Sequence, residues 1–310
     1  MHKNNIQPSF MIIGAPKCGT TALYHYLSEH PQVCFSDSKE PNYFCTDFPG
    51  YRNSFSIDEY LTKEFSHCQP ENIQAIGEGS VCYLYSKTAI NEIIKFNSDI
   101  KFIVMLRNPV DVVQSLHSQM YYNLDENIAD FETAWRAQEQ RKTGENIPPL
   151  CREPLFLQYR DFAMFGKQIK RLLDQAPRNQ VKIIFFNDFI QNTRQIYLDT
   201  LEFIGVKDDG RTQFPKINEN KQSRSRIISR FIHRPPKFVT ALTKWAKNIT
   251  GIKRFGVYKL AACLGDKFNA QTTTRTQPPE ALKRVLIHEF NSDIIELERI
   301  TGKDLSAWKE

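Results

Sequence analysis

The stretch from Phe10 to Glu29 constrains the fold of this 310-residue chain more than any other. Phe10-Met11-Ile12-Ile13 is an unbroken apolar run ending at Gly14, the pattern of a strand covered on both faces. Gly14-Ala15-Pro16-Lys17-Cys18-Gly19-Thr20-Thr21 follows, with a glycine at each end of a short loop. From Thr20 to Glu29, Ala22, Leu23, Tyr26 and Leu27 recur at helical spacing, and the pattern stops before His30-Pro31. The segment therefore predicts a buried strand, a tight loop and a helix.

The pattern repeats downstream. Lys101 to Leu106 reads as a second buried strand, with Arg107 at its end and Asn108-Pro109 opening a helix whose apolar face carries Val110, Val113 and Leu116. Val181 to Phe186 reads as a third strand, followed by a helix through Ile196, Leu198, Leu201 and Ile204. A shorter strand is expected near Ala75-Ile76-Gly77, and helices over 57–65, 130–141, 159–175 and 279–301. Strands alternating with helices predict an α/β chain with a central parallel sheet flanked by helices. No linker or repeat divides it, so one domain over 1–310 is expected, with 1–9 as a flexible N-terminus, 206–226 as a loop and 227–310 as a helical C-terminal part. In such sheets ligands sit beyond the C-terminal strand ends, where Lys17 and Arg107 both fall.

The loop is P-loop-like. Between a strand and a helix, backbone amides converge on one point and the helix terminus adds partial positive charge, a ready site for phosphate. The amides of Cys18 and Gly19 belong to this cradle, and Thr20 and Thr21 add hydroxyl donors. The glycine spacing matches that of triphosphate-binding loops, yet Thr20 stands where GxxxxGK[ST] has its lysine. The lysine is inside the loop, at Lys17, within reach of an oxygen bridging a 5′-phosphate to a transferred group. No convincing second acidic motif offers magnesium a site.

PKCGTTAL after an apolar strand resembles the 5′-phosphosulfate loop of sulfotransferases that use 3′-phosphoadenosine-5′-phosphosulfate (PAPS). LRNPVDVVQS resembles that family's 3′-phosphate segment, and KEPNYF and GEGSVCYLYS resemble segments of its heparan-sulfate and glycan-modifying branch. The resemblance runs from about Phe10 to the C-terminus, most firmly up to Gly205. It implies PAPS as cosubstrate, PAP as product and no metal. It also implies that Lys17 acts in catalysis, that Arg107 and Ser115 hold the 3′-phosphate, and that Glu40 is the general base. Phe44 fits the spacing of that last segment, and Lys39 would support the sulfuryl oxygens. A solvated Lys39–Glu40 pair before Pro41 is the competing reading. Asn220 to Arg226 resembles the family's late basic loop but departs from its Lys-Gly-Arg form; Arg224 is the residue chosen there. His30 reads as a helix-end cap and His117 as pointing away from Ser115, which leaves a histidine base as the lesser alternative to Glu40.

The formal charge of +6 suits an anionic ligand, and Lys221 to Lys259 contains no Asp or Glu among its basic residues. That stretch reads as a solvated basic surface, or as a flank for cofactor phosphates, an acidic acceptor or a peripheral membrane contact. Tyr83, Tyr85, Tyr121, Tyr122 and Tyr159 are available to an acceptor cleft. The seven cysteines form no CxxC pair, so neither a zinc site nor a disulfide framework is expected, and reduced thiols in a cytoplasmic protein are the simplest account. No apolar run is long enough for a transmembrane segment. The acceptor expected is a saccharide, a glycolipid or a small metabolite, not nucleic acid. The competing functions are a P-loop nucleoside or metabolite kinase and a non-catalytic PAP- or PAPS-binding module.

Overall fold

Strand β1 (Phe10–Gly14) is buried at every position, as an uninterrupted apolar run requires of a central strand. The structure is a computed structural model that describes residues 6–52, 55–68, 71–217, 221–223, 270–272 and 278–310. β1 pairs in parallel with β3 (Ala75–Glu78) on one side and β4 (Lys101–Leu106) on the other. β2 (Val33–Phe35) adds to β3, and β5 (Val181–Phe185) adds to β4, also in parallel. The five-stranded order is β2-β3-β1-β4-β5. From β1 the chain leaves towards β2, and from β4 it leaves towards β5. The crevice between the C-terminal ends of β1 and β4 is therefore the switch point at which parallel sheets bind ligands.

Helix α1 (Thr20–Ser28) returns the chain from β1, with Leu23, Tyr26 and Leu27 on its buried side. α2 (Ile57–Phe65) starts at a reciprocal cap: Ser56 Oγ accepts the Glu59 amide and the Glu59 carboxylate accepts the Ser56 amide. α3 (Ala89–Phe96) leads into β4, and α4 (Pro109–Tyr122) follows β4 with proline at its first position.

The chain groups into two compact units. The first, Met1–Leu116 with Gln158–Asn218 and Pro279–Glu310, contains the parallel sheet. The second, His117–Leu157 with Glu219–Pro278, contains α5 (Phe131–Arg136) and α6 (Gln138–Lys142), the antiparallel pair β6 (Lys221–Ser223) and β7 (Ala270–Thr272), and a fully buried ion pair, Arg141 with Glu126 at 2.7 Å.

Two expected helices are each broken in two. Residues 130–141 divide into α5 and α6 at Ala137. Residues 159–175 divide into α7 (Tyr159–Phe162) and α8 (Phe165–Leu173). The second break has a tertiary cause. Asp293, on α11 (Glu280–Thr301), accepts the amides of Gly166 at 2.7 Å and Lys167 at 2.9 Å, capping the start of α8. No local sequence signal announces a cap that arrives from 127 residues away. α11 itself follows the expected span, with Leu282, Leu286, Phe290, Ile294 and Leu297 forming its buried stripe. α9 (Phe186–Gln191) and α10 (Thr193–Ile204) complete the first unit, and Phe186 opens α9 instead of closing β5. Within the expected loop over 206–226, residues 206–217 carry no regular element, but Lys221–Ser223 is strand β6. Residues 224–269, with most of the basic stretch, lie outside the described residues, as do 1–5 of the expected N-terminal tail. Among the described residues no helix is long and apolar enough to cross a membrane.

Candidate active site

The loop after β1 turns back into the sheet edge. The Ala15 amide donates to Met105 O at 2.8 Å, and the Leu84 amide donates to Ile13 O at 2.8 Å, so the chain is tied on both sides as it leaves β1. Lys17 takes a left-handed conformation, φ 67°. Gly19 caps α1 at φ 91°, a conformation that costs a side-chain-bearing residue about 1–2 kcal/mol. A Cβ at Gly19 would stand 2.9 Å from Phe186 Cδ2, so glycine is needed for space as well as backbone freedom. No side chain caps the N-terminus of α1, and no acidic residue occupies its first turn. The Ala22 amide donates to Gly19 O at 3.0 Å, whereas the amides of Thr20 and Thr21 have no acceptor among the described residues, so these two and the positive end of the helix dipole suit an external anion. Thr20 is buried at the same turn and Thr21 is half-buried.

Cys18 closes a turn within this loop. Its amide donates to Ala15 O at 3.3 Å. Its thiol is wholly buried, and burial pushes it up to about 12 against the opposing pull of Arg107 and Lys17. It stays a neutral thiol.

Arg107 leaves the end of β4 and donates from Nε (3.1 Å) and Nη2 (2.9 Å) to Asp111 Oδ2, in the first turn of α4. Its guanidinium carbon lies 4.9 Å from the ring centroid of Phe186. Phe186 therefore touches both Gly19 and Arg107, joining the loop after β1 to the end of β4. Sequence reading missed it; the only signal was a second Phe at the end of an apolar run. Ser115 is buried on α4, two turns beyond Arg107.

Lys39 and Glu40 lie after β2. Lys39 Nζ donates to Glu40 Oε1 at 2.7 Å, and both side chains are partly exposed. The loop hangs from the segment after β3. The Gly79 amide donates to Lys39 O (3.1 Å), the Asn42 amide to Ser80 Oγ (2.9 Å) and the Phe44 amide to the Tyr83 hydroxyl (3.2 Å). Behind this attachment stands Glu78, the last residue of β3, with no exposed surface. The Tyr60 hydroxyl donates to its Oε2. Burial pushes the Glu78 carboxyl up to about 7, opposed by hydrogen bonding from the Ser80, Tyr60 and Tyr83 hydroxyls.

Other sequence-derived residues are now placed. His30 is buried and satisfied: Nε2 bonds Lys207 O (2.9 Å) and Nδ1 accepts the Gln32 amide (3.0 Å). His117 Nε2 bonds Ile128 O at 2.9 Å, and burial lowers its pKa. Neither lies at the loop of Lys39 and Glu40 in its hydrogen bonding. Tyr83 and Tyr159 are fully buried and pack as core. Arg224 lies outside the described residues. The expectation of seven reduced thiols is corrected: Cys34 on β2 and Cys68 beyond α2 form a disulfide, Cα to Cα 5.8 Å. The two are 34 positions apart and meet only because α2 packs back beside β2. Cys18, Cys45, Cys82 and Cys151 are free. His67 Nε2 stands 3.6 Å from Cys34 Sγ, making a Cys-His-Cys group whose two sulfurs are already joined.

This geometry has relatives. A model of the sulfotransferase domain matches residues 7–233. The crystal structure of a sulfotransferase from Alicyclobacillus acidocaldarius is similar at a TM-score of 0.68 and 26% identity, covering 98% of this chain and 99% of that one. Membrane-associated sulfotransferase kil1 of Dictyostelium discoideum is 33% identical over 107 residues, which is 34% of this chain and 21% of that protein. Carbohydrate sulfotransferase 15 of Mus musculus is 30% identical over 162 residues, 40% of this chain and 28% of that protein. The matched region thus spans less than a third of either curated relative. With an uncapped helix behind a lysine-bearing loop, an arginine at the neighbouring strand end and the domain model matched over most of its length, the chain belongs to the sulfotransferase family.

Proposed function

We propose that this chain transfers the sulfuryl group of PAPS to a hydroxyl or amine on a saccharide, glycolipid or small metabolite. The observation that carries the reading is the meeting of two anion anchors at one ring. The uncapped start of α1 and the guanidinium of Arg107 both adjoin Phe186, at adjacent strand ends. A nucleotide with phosphate groups at both its 5′ and 3′ positions suits two such anchors. PAPS supplies an activated sulfuryl group on its 5′-phosphate. The first-turn amides of α1, with Thr20 and Thr21, bind that phosphate, and Arg107 with Ser115 takes the 3′-phosphate.

Catalysis rests on positioning and charge, as in phosphoryl transfer. The acceptor oxygen or nitrogen attacks sulfur in line as the bond from sulfur to the phosphate oxygen breaks. Glu40 takes the acceptor proton. Lys17 neutralises the charge that gathers on the departing phosphate oxygen, and Lys39 faces the sulfuryl oxygens. The similarity to a carbohydrate sulfotransferase supports a sugar among the acceptor classes.

The test is incubation of the chain with radiolabelled PAPS and desulfated heparan, desulfated chondroitin, glycolipid and metabolite panels. Label is expected in an acceptor with no magnesium requirement, and Lys17→Ala should remove most of that transfer while leaving the far-ultraviolet dichroism unchanged. Full transfer by Lys17→Ala would overturn the mechanism. Magnesium-dependent phosphate transfer from ATP would point to a kinase, and PAP binding without transfer to a non-catalytic module.

A further inference from the structure

We propose that Asp111 is a positioning residue for the nucleotide site, holding the Arg107 guanidinium so that its second edge faces the 3′-phosphate. This rests on the reading of Arg107 as the 3′-phosphate anchor, and it concerns a carboxylate that acts through that anchor.

A guanidinium is a planar fork with two edges that form paired hydrogen bonds, one through Nε and Nη2 and one through Nη1 and Nη2. Asp111 Oδ2 takes the first edge, from Nε at 3.1 Å and Nη2 at 2.9 Å. The second edge is left over, and among the described residues Nη1 donates to no partner. Phe186 flanks the group, its ring centroid 4.9 Å from the guanidinium carbon. With one edge and one flank engaged, the side chain has already lost much of the rotamer freedom an arginine gives up on binding. Asp111 lies in the first turn of α4 and Ser115 one turn further on, so both belong to one helix face. The carboxylate therefore draws Arg107 towards the residue with which it shares the phosphate. The pair is partly exposed, 28% for Arg107 and 40% for Asp111, and ion pairs so exposed add little to stability. Direction is what the pair supplies. Charge without direction would act the other way, since a carboxylate beside a phosphate site repels the ligand.

Calorimetry with PAP and with adenosine 5′-phosphate, which lacks the 3′-phosphate, reads this without an acceptor. The ratio of the dissociation constants, adenosine 5′-phosphate over PAP, isolates the part of the affinity due to the 3′-phosphate. Asp111→Ala should cut that ratio about fivefold. Asp111→Asn should keep it within about twofold of wild type, because both hydrogen bonds land on a single oxygen and an amide carbonyl accepts them equally well. A wild-type or larger ratio in Asp111→Ala would overturn the proposal, leaving the carboxylate as a helix-start charge or a repellent neighbour. A fall in Asp111→Asn as deep as that in Asp111→Ala would overturn it too. If Asp111→Ala fails to fold, Asp111→Ser decides: it suits a first helical turn but is too short to reach the guanidinium, so its ratio should fall likewise, and a wild-type ratio sinks the idea. Arg107→Ala separates the two claims. A wild-type ratio there removes the anchor itself, whereas a ratio lost in Arg107→Ala but intact in Asp111→Ala keeps the anchor and removes the positioning role. With both side chains truncated the ratio should equal that of Arg107→Ala alone; a further fall would contradict action through Arg107.

Discussion

Replacing Gly19 with alanine tests how closely the phosphate loop is fitted to its neighbours. Gly19 lies at φ 91°, ψ 3°, so an L side chain there costs about 1–2 kcal/mol in backbone strain alone. The added methyl would also lie 2.9 Å from Phe186 Cδ2 and 3.4 Å from Met105 Cε. Phe186 begins α9 and is the part able to give way. Its displacement weakens a cation–π contact with Arg107 worth about 0.5–1 kcal/mol. Gly19→Ala should therefore lose about 1–2 kcal/mol in urea denaturation and bind PAP at least about two- to fivefold more weakly by calorimetry. Gly302→Ala is the control. Gly302 is also left-handed, φ 68°, but nothing lies within 4 Å of its missing Cβ. It should lose similar stability and bind PAP like the wild type. If Gly19→Ala binds PAP normally, or Gly302→Ala weakens binding equally, the fitted loop is refuted.

Two further outcomes follow from the same geometry. Arg107→Ala should weaken PAPS far more than adenosine 5′-phosphosulfate, which lacks the 3′-phosphate; calorimetric losses of equal size for the two would argue against that assignment. Glu78 makes stability depend on pH. Its carboxyl is raised from an ordinary 4.5 to about 7, so the folded state holds the proton more tightly than the unfolded state does. The stabilisation is complete below about 4.5 and is lost as pH rises through about 7, by about 3 kcal/mol in all. Denaturation from pH 5 to 8 should show the wild type falling relative to Glu78→Gln, and parallel curves would contradict it.

The cysteines and the histidines show where reading by residue type stops. Cys34 and Cys68 carry no spacing signal, and their bond exists because a helix returns beside a strand. His30 and His117 each bond a backbone carbonyl in the fold, a pairing their residue type does not announce.

The order of elements was legible because burial on both faces demands a continuous apolar run, which β1 and most of β4 supply, while the edge strand β5 is mainly apolar and interrupted by a half-buried Lys182. The loop was legible because its chemistry is local: glycines, a lysine and the start of a helix within eight residues of one another. Strand order was not local, and it alone brings the ends of β1 and β4 side by side. The same is true of Phe186 between Gly19 and Arg107, of Asp293 capping α8, and of Glu78 behind the Glu40 loop. Each joins residues far apart along the chain, and contacts of that kind follow from packing, which no window of sequence contains.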